Sequence, residues 1–269
     1  MLKTSPYIKF ITLLGFIFLY APIVLLVIYS FNESRLVTVW SGFSTKWYGE
    51  LFNDPQLLSA AWVSIRIAVA TAIGSTILGT LSAYALTSYR VKVGGGLFNV
   101  LIRAPLVIPE VILGFSLLLL FVAMQDLIGF PNGRGMLTIW IAHMTVTVAY
   151  VTVIVAVRLQ ELDKSLILAA TDLGAKPWVT FTRITLPLIS PALVSGGLLA
   201  FTLSFDDLVI ASFVSGPQST TLPMVIYSSV RLGVSPKINA LATLIISIVT
   251  LIAMFFCFML MRAERKKNT

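Results

Sequence analysis

Six long apolar runs dominate the sequence, at roughly residues 8 to 30, 57 to 86, 98 to 124, 137 to 157, 191 to 214 and 238 to 262. As α-helix each is long enough to cross about 30 Å of hydrocarbon. The first is flanked by Lys3 and Lys9. Its length of about twenty apolar residues, with no A-x-A-like site after it, marks a retained span and not a cleaved signal peptide. The expectation is an all-α integral membrane protein of six transmembrane helices, one transmembrane domain over 1–269. With 58% hydrophobic and 11% charged residues, the chain is far too apolar for a water-soluble domain.

Charge sets the orientation. Thirteen Lys and Arg flank one side of the expected spans: Lys3, Lys9, Arg90, Lys92, Arg103, Arg158, Lys164, Lys176, Arg183, Arg262, Arg265, Lys266 and Lys267. Five flank the other (Arg35, Lys46, Arg134, Arg231, Lys237), and Arg66 falls inside the second span. The positive-inside bias therefore places both termini in the cytoplasm. The same bias accounts for the net charge of +8, since no basic patch with interleaved aromatics marks a nucleic-acid surface. Cys257 is the single cysteine and His143 the single histidine, so neither a disulfide nor a metal site is expected. Within the second span Ser75, Gly79 and Ala83 form a small-residue stripe that suits close helix packing.

The longest cytoplasmic connection, 158–190, carries the informative pattern. Leu166, Ala169, Ala170 and Leu173 follow the i, i+3, i+4, i+7 spacing of a short amphipathic helix. Gly174 suits a left-handed helix terminator, and Pro177 suits the first position of a second helix. A helix, a sharp turn and a helix outside the membrane are predicted. The spacing resembles the cytoplasmic coupling motif of permease subunits of ATP-binding cassette importers: Glu-Ala-Ala, three residues, Gly, nine residues, Ile-x-Leu-Pro. Ala169, Ala170, Gly174, Ile184, Leu186 and Pro187 match it. The resemblance implies the type I ABC importer permease fold and a turn that docks on a separate ATPase. Leu168 stands where the family usually has Glu, and Asp172, one turn on, is the nearest carboxylate that could take its place. The run Gly94, Gly95, Gly96 lacks the Lys-Ser/Thr of a phosphate loop. No cofactor is expected in this chain, with ATP and Mg held by the partner ATPase.

Three acids lie within the apolar runs: Glu110 near the middle of the third, and Asp206 and Asp207 in the fifth. Ionisable groups cost about 2.5–3.5 kcal/mol at a helix centre, so they face a cavity, a partner or a pathway. Pairing with Arg66, with His143 or with polar groups of neighbouring helices would make them structural; a route for a cation would make them functional. Pro105 and Pro109 bracket the approach to Glu110 and are expected to kink that span. Ser204, Phe205, Asp206 and Asp207 offer hydroxyl, aromatic face and carboxylate within about one turn, a set suited to an alkylammonium group.

A narrower resemblance covers nearly the whole chain. Phe18-Leu-Tyr-Ala-Pro22, Val27-Ile-Tyr-Ser-Phe-Asn32, Trp47-Tyr-Gly-Glu-Leu51, Pro105-Leu-Val-Ile-Pro109 and Phe205-Asp-Asp-Leu-Val-Ile-Ala-Ser-Phe-Val214 are similar to the second permease subunit of bacterial polyamine importers, especially the putrescine type. It implies a multi-pass protein of the bacterial inner membrane that carries putrescine or spermidine and is itself non-catalytic. It also implies a second permease, two copies of a cytoplasmic ATPase and a periplasmic polyamine-binding protein. Trp47, Glu110, Ser204, Asp206 and Asp207 carry over as substrate pathway. The competing reading, an ion-coupled secondary transporter of small cations, would need inverted repeats, and none is found. An intramembrane enzyme built on Ser204 would need a base, and none lies at a credible spacing along the sequence. The Leu168 departure is directly testable. Leu168→Glu is expected to leave transport-coupled ATP hydrolysis within about threefold of the parent, the scale of an exposed ion pair. A strong rise would show that Asp172 is no adequate replacement.

Overall fold

The computed structural model describes residues 5–36, 39–88, 95–233 and 235–267; Lys3, Arg90, Lys92 and Gly94 lie outside them. Helices follow in the order α1 Pro6–Tyr29, α2 Lys46–Phe52, α3 Pro55–Ser88, α4 Gly95–Arg103, α5 Glu110–Ile128, α6 Met136–Gln160, α7 Lys164–Asp172, α8 Pro177–Thr180, α9 Leu186–Phe205, α10 Val209–Val214, α11 Leu222–Leu232 and α12 Pro236–Lys267. A 3-10 turn, Ala104–Leu106, follows α4, and a π turn, Phe181–Thr185, joins α8 to α9.

Five runs of helix among the described residues are apolar and long enough to cross a membrane: Tyr7–Tyr29, Pro55–Thr87, Glu110–Ile128, Met136–Gln160 and Pro177–Phe205. The expected sixth span is helical throughout as part of α12. Two of the expected spans are not single helices. The third is divided into α4, the 3-10 turn and α5, because Pro105 and Pro109 each remove a backbone donor. Glu110 is therefore the first residue of a helix, not the middle of one. The fifth is broken at Asp206–Leu208, between α9 and α10. Its N-terminal end also begins earlier than expected, because helix runs unbroken from Pro177 through the π turn into α9.

The chain divides into two units, one of residues 1–58 with 226–269 and one of 59–225. In the first, α12 packs on α1 and α2. Asp54 caps the start of α3 by accepting from the amides of Gln56 and Leu57, and its other oxygen takes Lys237 Nζ at 3.0 Å. Partial burial would raise the Asp54 carboxyl, but these donors and the Lys237 charge outweigh it and hold it below its ordinary value. Along α1 nearly every large apolar side chain is exposed, from Tyr7 to Ile28, as fits a helix whose solvent is lipid.

The second unit holds the core. Ile67 of α3, Leu117 and Phe121 of α5, Ile139 and Ala142 of α6, and Ile210, Ala211 and Val214 of α10 form one buried cluster. Ala83, Val151, Val155, Ala156, Ile189 and Ala200 form another between α3, α6 and α9. The small-residue stripe lies at this contact: Ser75 and Ala83 are fully buried, and Ser75 Oγ is 2.7 Å from Thr147 Oγ1 of α6. A Cβ on Gly79 would come within 2.7 Å of Val151 Cβ and 3.1 Å of the Thr152 amide nitrogen. Gly79→Ala should thus destabilise by about 1–3 kcal/mol through overpacking, read as a lower unfolding temperature of the purified protein. Gly15→Ala, in open space on α1, should show no loss; equal behaviour of the two would contradict the close α3–α6 contact.

Candidate functional site

The break between α9 and α10 is built around a carboxylate. A helix that restarts within an apolar run presents peptide N–H groups without intrahelical partners, which hydrocarbon would not supply. Asp207 supplies them: Oδ1 accepts from the Ile210 amide at 3.2 Å and Oδ2 from the Ala211 amide at 2.8 Å. The same Oδ2 lies 3.1 Å from His143 Nε2 of α6, and His143 Nδ1 lies 2.7 Å from Ser204 Oγ at the end of α9. His143 and Ser204 are both buried. The far end of α10 is also tied to α6, where Thr138 Oγ1 donates to the Val214 carbonyl at 2.7 Å. Gly114 of α5 lets Phe213 and the Ile210 backbone approach so closely that a Cβ there would lie 2.7 Å from the Phe213 ring. The short helix is thereby held at both ends and along one side.

Glu110, His143, Tyr150, Ser204 and Asp207 line one small cavity of about 40 Å³. Three of the expected pathway residues, Glu110, Ser204 and Asp207, are thus brought together. Asp206 is exposed beside them at the C-terminal cap of α9. Neither Glu110 nor Asp206 has a salt-bridge partner among the described residues, and Arg66 is exposed and pairs with no acid. Of the structural pairings considered from sequence, the ion pair with His143 forms, among the described residues for Asp207.

Trp47 belongs to the other unit. It is buried, and its indole N–H donates to the Asn32 carbonyl at 2.6 Å. Asn32 is itself fully buried: its Nδ2 donates to the Val39 carbonyl, and its Oδ1 accepts from the amides of Ser34 and Ser41. Phe31 stacks on Phe43 at 5.3 Å and lies at the same distance from Tyr48. Trp47 is a strut of this folded connection.

The helix–turn–helix expected in 158–190 is present. Asp163 caps α7 by accepting from the Ser165 amide at 2.9 Å, and that donor holds its carboxyl below the ordinary value. Gly174, at φ +77°, ends α7. The Ala175 amide reaches back to the Ala170 carbonyl and the Gly174 amide to Thr171, a Schellman closure. Ala170 is buried while Leu168, Leu173 and Trp178 stand exposed. Ile184 lies in the π turn, and Leu186 and Pro187 begin α9. Phe181 fixes the π turn to α3 by an edge contact with Tyr84 at 4.8 Å.

Comparison with known proteins places this architecture. Residues 75–266 match the family described as binding-protein-dependent transport system inner membrane component. The chain is a member of that permease family. It is 56% identical over 263 residues to the putrescine transport system permease protein PotI of Escherichia coli K12, covering 98% of this chain and 94% of the relative. It is 40% identical over 256 residues to the spermidine/putrescine transport system permease protein PotC of the same strain, covering 94% and 92%. A chain from a bacterial ABC transporter involved in import of the acidic polysaccharide alginate superposes with a TM-score of 0.71 at 19% identity, covering 96% of this chain and 98% of that one. At that identity the likeness speaks for the fold, which is the type I ABC importer permease fold.

In this permease, a multi-pass protein of the inner membrane, the acids and a candidate pairing with His143 are legible in the sequence, but the bond from His143 to Ser204 is not. The signal for the α10 start was visible: Asp207 stands at a capping position ahead of Val209. Gly174 is the test of the coupling turn. Gly174→Val puts a β-branched residue in a left-handed conformation, and transport-coupled ATP hydrolysis of the assembled importer should fall several-fold. Parental activity would show that the turn conformation is immaterial.

Proposed function

We propose that the chain is the membrane-spanning subunit of an ATP-driven importer that carries polyamines, putrescine or spermidine, into the cytoplasm. The observation that carries this reading is 56% identity to a putrescine permease across nearly the full length of both chains. The site gives it chemistry. A linear diamine carries a cation at each end, and Glu110 and Asp206 are carboxylates on two different helical segments, neither neutralised by a salt bridge among the described residues. The Phe205 ring stacks beside Phe201 at 5.8 Å in the last turn of α9, an aromatic surface suited to an alkylammonium chain. Trp47 contributes by holding the folded outer connection of its own unit.

Energy enters at the other end of the same rod. The α7–α8 turn, with Leu168, Leu173 and Trp178 exposed, is the surface that docks on the ATPase, which binds ATP and Mg; this chain is not itself catalytic. From Pro177 the helix continues through the π turn to Phe205, one run of 29 residues that ends against Asp206. Its length is about 43 Å at 1.5 Å per residue. A displacement of the turn is therefore carried along α9 to the acid-bearing break. A second permease subunit, two ATPase copies and a periplasmic polyamine-binding protein complete the machine. The broken third and fifth spans would also suit an ion-coupled transporter, so the breaks do not discriminate; family membership favours the ATP-driven reading.

Asp206→Asn and Glu110→Gln should each depress putrescine uptake by roughly tenfold or more, the scale of a lost hydrogen bond to a charged group, with assembly retained. Normal uptake in both variants would remove the acids from the pathway.

A further inference from the structure

We propose that His143 is a positioning residue of the import step: its Nε2–H holds the Asp207 carboxylate over the first amides of α10, so that the broken span keeps its shape while Asp206 and Glu110 meet the cation. This deepens the polyamine reading and rests on it.

The geometry divides the paired acids. Asp207 receives two backbone N–H groups and faces one imidazole nitrogen, and its side chain is only 10% exposed. A carboxylate that already accepts two amide protons is an acceptor at its third contact too, so the proton on that contact belongs to His143 Nε2. The other ring nitrogen then faces Ser204. Further back along α9, Ser190, Ser195 and Thr202 donate their hydroxyls to carbonyls of their own helix. Ser204 is turned instead across to α6, 2.7 Å from Nδ1, where its hydroxyl fixes the ring plane and the tautomer. The histidine backbone is braced as well. Its carbonyl accepts from Thr147 Oγ1 at 2.8 Å, and Thr147 meets Ser75 of α3. A continuous polar chain thus links α3, α6, the end of α9 and the start of α10.

Asp206, the preceding residue, has its backbone in the last turn of α9 and its side chain outside this chain of contacts. Among the described residues, Glu110 and Tyr150 share the small cavity with the imidazole without hydrogen-bonding to it. His143 and Asp207 therefore act as a strut, and Asp206 and Glu110 as the cation-facing pair. Removing the strut lowers the rate of the step that moves the break and leaves the cation's own contacts in place.

Two measurements on the assembled transporter in lipid test this. The first is nitrogen NMR of ring-labelled histidine. Because this chain has one histidine, the signal absent from His143→Gln identifies it. The expected spectrum has Nε2 protonated and hydrogen-bonded, with that signal displaced in Asp207→Asn. An unprotonated Nε2, or a signal indifferent to Asp207→Asn, overturns the proposal. The second is transport kinetics. His143→Ala should lower the maximal putrescine uptake rate at least about tenfold, the scale of a lost charge-assisted hydrogen bond, with KM changed less than about threefold. His143→Gln, which keeps a donor, should recover part of the rate. His143→Ala combined with Asp207→Asn should be no worse than about twofold below the weaker single variant, as for two residues acting as one unit. A raised KM at unchanged maximal rate, or losses that simply add, overturns the strut. Should His143→Ala not assemble, the spectra of the parent and the Gln variant still decide. Absence of putrescine uptake in the parent would instead sink the substrate reading, and the tautomer would be judged on the spectrum alone.

Discussion

Hydrocarbon cannot replace the hydrogen bonds that water would offer to a broken helix, and the permease meets that constraint with one carboxylate. Asp207 closes the amides of Ile210 and Ala211, which permits α9 to stop and α10 to start within what would otherwise be a single span. The break in turn exposes Asp206 at the end of α9 and forms the small cavity shared with Glu110. Without a local partner for those amides the fifth span would be pressed toward continuous helix, and the acids would lie on its sides.

The third span solves the same problem differently. Pro105 and Pro109 have no amide to orphan, so the 3-10 turn and the start of α5 leave fewer donors to satisfy, and Glu110 sits in the first turn, where a negative charge is favoured by the helix dipole. Two breaks with different chemistry thus bring acids from separate segments to one cavity. The close α3–α6 contact at Gly79 and the Ser75–Thr147 bond fix the frame behind it. The turn at Gly174 lies at the opposite end of the run that finishes at Phe205.

Much of this was legible from residues alone. Hydropathy located the helical spans, the spacing from Ala169 to Pro187 gave the helix–turn–helix with Gly174 and Pro177 in their expected roles, and the Ser75, Gly79, Ala83 stripe gave a packing face. What periodicity does not encode is which side chains meet across helices. His143 lies 61 residues from Ser204 and 64 from Asp207, and only the packing of α6 against α9 and α10 reveals that they bond. Hydropathy also averages over short breaks. Apolar residues on either side of Asp206 and Asp207 let the run 191–214 read as one span, although α9 ends at Phe205 and Asp207 accepts from amides of α10. The commitment of Trp47 to the Asn32 carbonyl likewise depends on a folded connection that has no periodic signature.

The central claim is that this permease passes a linear polyamine under the drive of ATP hydrolysis by a partner. The most direct measurement is uptake of labelled putrescine and spermidine into vesicles containing the assembled importer with its binding protein, with and without ATP, beside an amino-acid control. ATP-dependent accumulation of a polyamine and none of the control is the predicted result. Accumulation of the amino acid alone, or polyamine uptake indifferent to ATP, would contradict it.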